Sequence, residues 1–194
     1  MLLTIPFITI LFAAFVQAAM PIFEVELWPE EGRPIFQAVA SRVRLHEHPS
    51  SSSKIISVAT LSPRQRLSFD DTRYRTIKAG RLRVVAPTQV RGRALGAITH
   101  LSKADYYSAK FERSTFQVRA GTMVEYLQYR AEGTCFVRLG ANVIDADPCP
   151  AGEAAFKVES EPRTEWWIHV LLSTDTTGWV LVNHTTVKEI DREG

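Results

Sequence analysis

Short runs of alternating apolar and polar residues recur along the chain and constrain its fold more than any other feature. A period of two places successive side chains on opposite faces of a strand. Turn-forming residues separate most of the runs at intervals of about 8–12 residues, which is typical of small barrels and sandwiches. The chain is therefore predicted to be all-β. The runs are residues 41–45, 64–69, 81–85, 115–119, 124–129, 135–139, 166–172 and 178–182.

One segment departs from this pattern and is predicted to form a short helix. Residues 102–110 begin with Ser102, have an acid three positions later at Asp105 and contain no β-branched residue. This spacing is that of a capping box. Because the helix lies near the middle of the chain, it is predicted to join two consecutive β modules. The predicted boundaries are 36–100 for the first module, 101–114 for the helical linker and 115–191 for the second module.

The N-terminal segment has the features of an export signal. It is apolar, it ends in small side chains, and no charged side chain precedes Glu24. Residues 1–18 are therefore predicted to be a signal peptide that is cleaved after Ala18 or Ala19. An uncleaved anchor is the alternative, because the stretch before Glu24 is long enough to span a bilayer. After cleavage no stable membrane insertion is expected, and the protein is predicted to be periplasmic or secreted.

The chain has two cysteines, Cys135 and Cys149. In the oxidising compartment that an export signal implies, two cysteines at this separation are expected to pair as a disulfide. A closed loop of this length stabilises a fold by about 3 kcal/mol in the chain-entropy model. Two buried free thiols are the alternative. A metal pair is disfavoured, because no histidine or further cysteine lies near either thiol in the sequence.

Two stretches carry a resemblance to a known family. Residues 43–61 contain a strand with Val43-Arg44, a Pro49-Ser50 turn and a second strand that begins Lys-Ile-Ile at Lys54. This order resembles the opening of a bacterial SH3-like (SH3b) module. Near the C-terminus, residues 178–180 read Gly-Trp-Val and are similar to the closing strand of that family.

The resemblance implies a fold and a setting. It implies two small, strongly bent SH3-like barrels in tandem, and it covers about half of the chain that follows the signal. The second module departs from the family pattern, because it lacks the Val-Arg opening and carries the expected disulfide loop instead. SH3b modules often bind cell-wall peptides or accompany wall hydrolases. The chain as a whole looks like an exported SH3-domain protein of Gram-negative bacteria.

Arginines are concentrated in one part of the chain. Residues 64–93 carry nine Lys and Arg against two acids, whereas residues 119–194 carry seven against twelve. Arg81 and Arg83 are predicted on one face of a strand, with apolar residues on the other face. Guanidinium groups suit phosphate and carboxylate partners, although a solvated, aggregation-resistant sheet face has the same pattern. The candidate binding arginines are Arg73, Arg75, Arg81, Arg83, Arg91 and Arg93.

Aromatic residues form the second candidate site. Trp166 and Trp167 are adjacent, so on a strand they face opposite sides, and at least one is expected in the core. The other is a candidate anchor for a partner. Trp179 is expected in the core.

Sequence motifs for catalysis and metal binding are missing. Both cysteines are expected in the disulfide, and no Gly-x-Ser-x-Gly nucleophile motif occurs. His46 and His48 could share one face of a strand, but no third metal ligand lies nearby in the sequence. Asp145 and Asp147 are expected to act in turn formation inside the disulfide loop. No catalytic residue, metal site or cofactor is predicted.

These features together predict a non-enzymatic, exported binding protein of the bacterial cell envelope. Its expected partner is an anionic or peptide-containing envelope polymer, or an envelope protein. The alternative is a structural or assembly component that acts through protein–protein contacts. A nucleic-acid partner is not expected, because neither charged region is dense enough and an exported protein rarely meets one.

Overall fold

The computed structural model describes residues 22–29, 32–108, 111–172 and 176–193. Nearly all regular structure in these residues is β, which confirms the all-β prediction, and each of the predicted runs falls on a strand. The strands are β1 Phe23–Val25, β2 Arg33–Ala38, β3 Arg42–His46, β4 Ile55–Thr60, β5 Arg66–Lys78, β6 Gly80–Val84, β7 Thr88–Gly96, β8 His100–Leu101, β9 Arg113–Val118, β10 Met123–Tyr129, β11 Cys135–Leu139, β12 Asn142–Ala146, β13 Phe156–Ser160, β14 Arg163–Leu171, β15 Thr177–Leu181 and β16 Val187–Glu193.

The strands form two open sheets. The first sheet has the order β16-β2-β5-β14-β15-β3-β4, and β1 and β8 extend it beside the second half of β5. The second sheet has the order β13-β6-β10-β11-β12-β7-β9. All pairings are antiparallel except the short pairing of β1 with β8. The long strand β5 is central to the first sheet, because it pairs with β14, β2 and β1.

The sheets do not divide the chain into the two consecutive barrels that the sequence predicts. β6 and β7 lie within residues 36–100 but belong to the second sheet, and β14, β15 and β16 return from the second half of the chain to the first sheet. The crossing occurs at Ala79, the one residue between β5 and β6. Gly80 permits it, because a Cβ atom there would lie 2.4 Å from the carbonyl oxygen of Ser160.

Each sheet has its own core, and a third cluster joins them. In the joining cluster, Phe23 of β1 packs against Phe136 of β11 with ring centroids 5.1 Å apart. Two hydrogen bonds, one buried and one partly buried, cross between β5 and β10. The hydroxyl of Thr76 donates to the carbonyl of Leu127 at 2.8 Å, and the amide of Gln128 donates to the carbonyl of Tyr74 at 2.9 Å. The two sheets therefore share buried structure.

The predicted helix is present and shorter than expected. Helix α1 spans Lys103–Tyr107, and the hydroxyl of Ser102 accepts a hydrogen bond from the N–H of Asp105 at 3.0 Å. It connects β8 of the first sheet to β9 of the second. The capping box thus starts the helix where the sequence predicts.

The predicted disulfide is also present. Cys135 and Cys149 are joined, with their Cα atoms 5.1 Å apart, and both are buried in the core of the second sheet. The bridge ties β11 to the segment after β12, which contains a cis peptide bond between Asp147 and Pro148. The predicted signal peptide, residues 1–18, lies outside the described residues. Within the described residues, no helix has the length and apolar character needed to cross a membrane.

Candidate functional site

The six arginines that the sequence proposes as a binding surface lie in three different places. Arg73 and Arg75 belong to β5 of the first sheet. Arg81 and Arg83 project from β6 into solvent, on the side opposite the buried Leu82. The remaining two, Arg91 and Arg93, lie on β7, where Arg91 is exposed and Arg93 is half-buried. Arg73, Arg75, Arg91 and Arg93 therefore do not extend the surface that Arg81 and Arg83 form.

Arg73 and Arg75 are engaged in internal ion pairs. The Nε atom of Arg75 lies 2.9 Å from a carboxylate oxygen of Glu24, and the same side chain donates to the carbonyl of Pro49. Arg73 lies 3.2 Å from Glu26 and also pairs with Asp71. Arg75 is only 5% exposed. These contacts hold β1 and the turn after β3 against β5, so both arginines serve the fold.

Arg81 and Arg83 lie on a sheet face of mixed charge. Arg83 forms an ion pair with Glu159 at 2.5 Å, and Arg138 on the same face pairs with Glu125 at 2.8 Å. Exposed pairs of this kind contribute little to stability. Acids on this face lie beside its bases and neutralise part of its positive charge.

Trp166 and Trp167 face opposite sides of β14, as the sequence predicts, and both are packed against protein. Trp167 is 1% exposed and its indole N–H donates to Glu165 at 3.0 Å. Trp166 packs edge-on against Phe36 and donates to the hydroxyl of Thr72 at 2.8 Å. Trp179 was expected in the core, but it is half-buried on the sheet face, where it contacts His169.

A cleft opens where the two sheets meet. Its volume is about 560 Å³. One wall comes from the segment that precedes β2, and the others come from α1, β7, β12 and the turn between β10 and β11. We call it the arginine cleft. It is defined by four arginines, three acids and three aromatic residues: Arg33, Arg93, Arg113, Arg130, Glu132, Asp145, Asp147, Trp28, Tyr106 and Tyr107.

Asp145 lies at the floor of the arginine cleft and binds two arginines. One carboxylate oxygen accepts from Nε and Nη2 of Arg93 at 3.1 and 2.8 Å, and the other accepts from Nη1 of Arg130 at 3.0 Å. Asp145 is 8% exposed. The expectation that it acts in turn formation is wrong, because it lies within β12 directly opposite Arg93 on β7.

Tyr106 of α1 holds the same two arginines from the other side. The guanidinium carbons of Arg93 and Arg130 lie 4.3 and 4.7 Å from the centre of its ring, within the range of cation–π attraction. Arg93 also donates to the backbone carbonyl of Tyr106 at 2.8 Å. Burial raises the pKa of the Tyr106 phenol, and the charge of Asp145 raises it further, against the opposing effect of the two arginines. The contacts with Asp145 and Tyr106 together fix the orientation of both guanidinium groups.

The close approach of β7 to β12, which places Arg93 beside Asp145, depends on one glycine. A Cβ atom on Gly92 would lie 2.1 Å from the carbonyl oxygen of Asp145, so only glycine allows β7 to approach β12 this closely. The turn that carries Arg130 is tied to the opposite wall, because the N–H of Ala131 donates to the carbonyl of Pro29 at 2.9 Å.

The rim of the cleft is more open to solvent. Arg113 and Asp147 form an exposed ion pair at 3.1 Å. Arg33 donates to the carbonyl of Phe69 and lies over that ring, with its guanidinium carbon 5.0 Å from the ring centre. Tyr107 is 69% exposed. Among the described lining residues, four arginines thus face three carboxylates.

Of the cleft residues, the sequence identified only Arg93 as a binding candidate. The others come from distant parts of the chain, and no local motif links them. One signal was available: Asp145 is an acid inside the otherwise apolar strand β12, and a buried acid requires a partner.

The cleft provides donors for an anion but no metal centre. Within the described residues, no group of three or more His, Cys, Asp or Glu side chains is placed to hold a metal ion.

Comparisons with protein-family models, with curated proteins and with solved structures find no match to this chain.

Proposed function

We propose that the protein is a non-enzymatic, exported binding protein of the bacterial cell envelope, and that its arginine cleft takes a carboxylate-bearing segment of a peptide-containing envelope polymer. The observation that carries this proposal is the pair Arg93 and Arg130. Both guanidinium groups are oriented at the floor of an open cleft by one buried carboxylate and one tyrosine ring.

The charge of the pair favours an anionic ligand. Among the described ion pairs, two guanidinium groups share the single carboxylate of Asp145, so these three side chains together carry one net positive charge. A guanidinium group has five N–H donors, and planar groups of this kind suit a carboxylate. Arg93 makes three hydrogen bonds to Asp145 and Tyr106, and Arg130 makes one to Asp145, so both groups keep donors for a ligand. Because both side chains are already ordered in the fold, little further rotamer entropy is lost when a ligand binds.

The resemblance to SH3b modules adds to the choice of a peptide-containing polymer, since that family often binds cell-wall peptides. The exposed rings at the rim, such as Tyr107, offer flat apolar surface beside the charged floor. Rigid aromatic rings are common anchors in binding sites.

A binding role rather than a catalytic one is supported by how the reactive groups are used. The two cysteines are joined to each other, so neither is a free nucleophile. Asp145 and Asp147 are each paired with arginine. The ordinary pKa of a tyrosine phenol already leaves Tyr106 protonated at neutral pH, and burial raises that pKa further. The disulfide supports an oxidising compartment, and export predicts that protein from an envelope fraction begins at Ala19 or Met20 by mass spectrometry.

Isothermal titration calorimetry with soluble peptidoglycan fragments tests the proposed ligand. The matched variants are Arg130→Gln in the cleft and Arg83→Gln on the solvent face of β6, both checked for folding by thermal denaturation. A hydrogen bond to a charged group contributes about 1.5–3 kcal/mol. We therefore expect Arg130→Gln to weaken binding by about 10- to 100-fold, Arg83→Gln to leave it unchanged, and added salt to weaken wild-type binding.

Two results would overturn the assignment. If Arg83→Gln abolishes binding while Arg130→Gln does not, the solvent face of β6 is the binding site. If the fragments do not bind the wild type at all, the polymer is not the ligand.

A further inference from the structure

Strand β4 ends the first sheet and has a hydrogen-bonding neighbour on one side only, β3. The N–H of Leu61 donates to the carbonyl of Ser41, and in an antiparallel pair every second residue bonds to the neighbouring strand. The N–H and C=O groups of Val58 and Thr60 are therefore directed away from β3. The register shift of this pair is confined to the first residues of β4, so the rest of the strand presents a regular edge.

The side chains of β4 leave this edge apolar. Ile55, Ile56 and Val58 are 43%, 46% and 45% exposed. Sheets ordinarily protect their edges with charged side chains, because an unpaired edge is a template for further strands. The other longer edge strands of the two sheets follow this rule, since β9 contains Arg113, β13 contains Lys157 and β16 contains Lys188. Strand β4 contains no charged residue.

Positive charge predominates around the apolar edge, where the exposed acid Glu47 lies beside Lys54. Arg42 and Arg44 are exposed on β3 opposite Thr60 and Val58, Lys54 immediately precedes β4, and Arg64 follows it. Among the described residues, none of these four cations takes part in an ion pair with an acid. Strands in a sheet are about 5 Å apart, so an added strand lies about 10 Å from β3. This is about one Debye length at an ionic strength of 0.1 M, so the attraction of the cations for opposite charge there is partly screened and increases as salt is lowered.

We propose that β4 is a docking edge that takes an extended, acidic segment of another protein as an additional strand. The backbone of that segment pairs with Val58 and Thr60, its apolar side chains cover the exposed aliphatic residues of β4, and its carboxylates face the surrounding cations. Charge decides between this partner and a second copy of the chain, because a second copy would bring the same four cations to the same edge. Addition of a strand at a sheet edge is a common mode of peptide recognition.

Fluorescence anisotropy with labelled peptides of about seven residues tests the proposal, a length that matches an ordinary strand. One peptide alternates Val with Glu, and the matched peptide alternates Val with Lys. We expect the acidic peptide to bind at least tenfold more tightly than the basic one. The same measurement on Arg130→Gln is expected to give an unchanged affinity, because the arginine cleft lies at the junction of the sheets and not at β4.

Two variants of Val58 separate the side-chain and backbone contributions. Val58→Asp adds a negative charge to the edge, and its control is Ile190→Asp on β16, where the aliphatic side chain is also exposed. We expect Val58→Asp to weaken the acidic peptide at least tenfold and Ile190→Asp to have no effect. Val58→Pro removes an outward N–H without removing a bond to β3 and is expected to have a similar effect.

Three outcomes would overturn the proposal. The first is that the two peptides bind equally well, and the second is that Val58→Asp binds the acidic peptide as tightly as the wild type does. The third is that the protein dimerises in sedimentation experiments, that Val58→Asp abolishes the dimer and that neither peptide binds. This result would assign the edge to a second copy of the chain.

Discussion

Replacement of Asp145 by asparagine tests whether the floor of the arginine cleft is the buried electrostatic centre that its geometry indicates. The substitution preserves the shape of the side chain but removes its charge. It also replaces one accepting oxygen by an NH₂ group, so that a donor faces the donors of Arg93 or Arg130. Asp145 accepts three hydrogen bonds from these two guanidinium groups.

The expected loss of stability follows from the burial of the three partners. Breaking a fully buried ion pair costs about 3–5 kcal/mol. Here the side chain of Asp145 is 9% exposed, whereas those of Arg93 and Arg130 are 24% and 23% exposed, so water relieves part of the cost. We expect a loss of about 2–3 kcal/mol, which for a chain of this size lowers the Tm by about 4–12 °C.

Asp147→Asn is the matched control, because Asp147 lies two residues away and also pairs with an arginine. That pair is 51% and 75% exposed, and a pair in this setting contributes less than about 1 kcal/mol. Urea denaturation followed by tryptophan fluorescence, with the disulfide intact, gives both free energies of unfolding. Equal losses for the two variants would refute the claim that Asp145 acts through burial.

Two further predictions concern the second sheet. Replacing both Cys135 and Cys149 by alanine is expected to lower the free energy of unfolding by about 3–4 kcal/mol, from the loop constraint and the small cavity left in the core. Urea denaturation of the variant measures this loss, and a value below about 1 kcal/mol would contradict the prediction. Burial, with the charge of Glu161 and neighbouring tyrosines, raises the pKa of Tyr126 to about 12. The unfolded chain then releases this proton at a lower pH than the folded protein does, so the free energy of unfolding falls as pH rises from about 10 to 12. Tyr126→Phe should lessen that fall by up to about 1.4 kcal/mol per pH unit. If the variant and the wild type lose stability equally over this pH range, Tyr126 does not cause the fall.

The arginines illustrate what the alternation of apolar and polar residues can and cannot predict. Alternation placed Arg81 and Arg83 in solvent, because the face of a side chain depends only on its position in its own strand. It could not show that Arg75 is buried against Glu24, because that acid lies in β1, about fifty residues earlier, and reaches Arg75 only through the pairing of β1 with β5.

The arginine cleft cannot be predicted from the sequence for the same reason. Arg93 and Asp145 are opposite each other on β7 and β12, and Arg130 joins them from a turn after β10. Tyr106 is placed by a helix whose capping signal was visible at Ser102, yet what its ring contacts depends on the docking of that helix between the sheets.

The sequence by itself determined the features that depend on neighbours along the chain. These are the all-β character, the faces of the strands, the start of α1 at Ser102 and the bridge between Cys135 and Cys149. Only the tertiary structure decided which strands pair, and hence that β6 and β7 join the second sheet while β14 returns to the first. The physical reason is that a period of two specifies which face of a strand is apolar but not which other apolar face will cover it. That choice is made by burial and hydrogen bonding between distant segments, and it is the choice that assembles the arginine cleft and leaves β4 at an open edge.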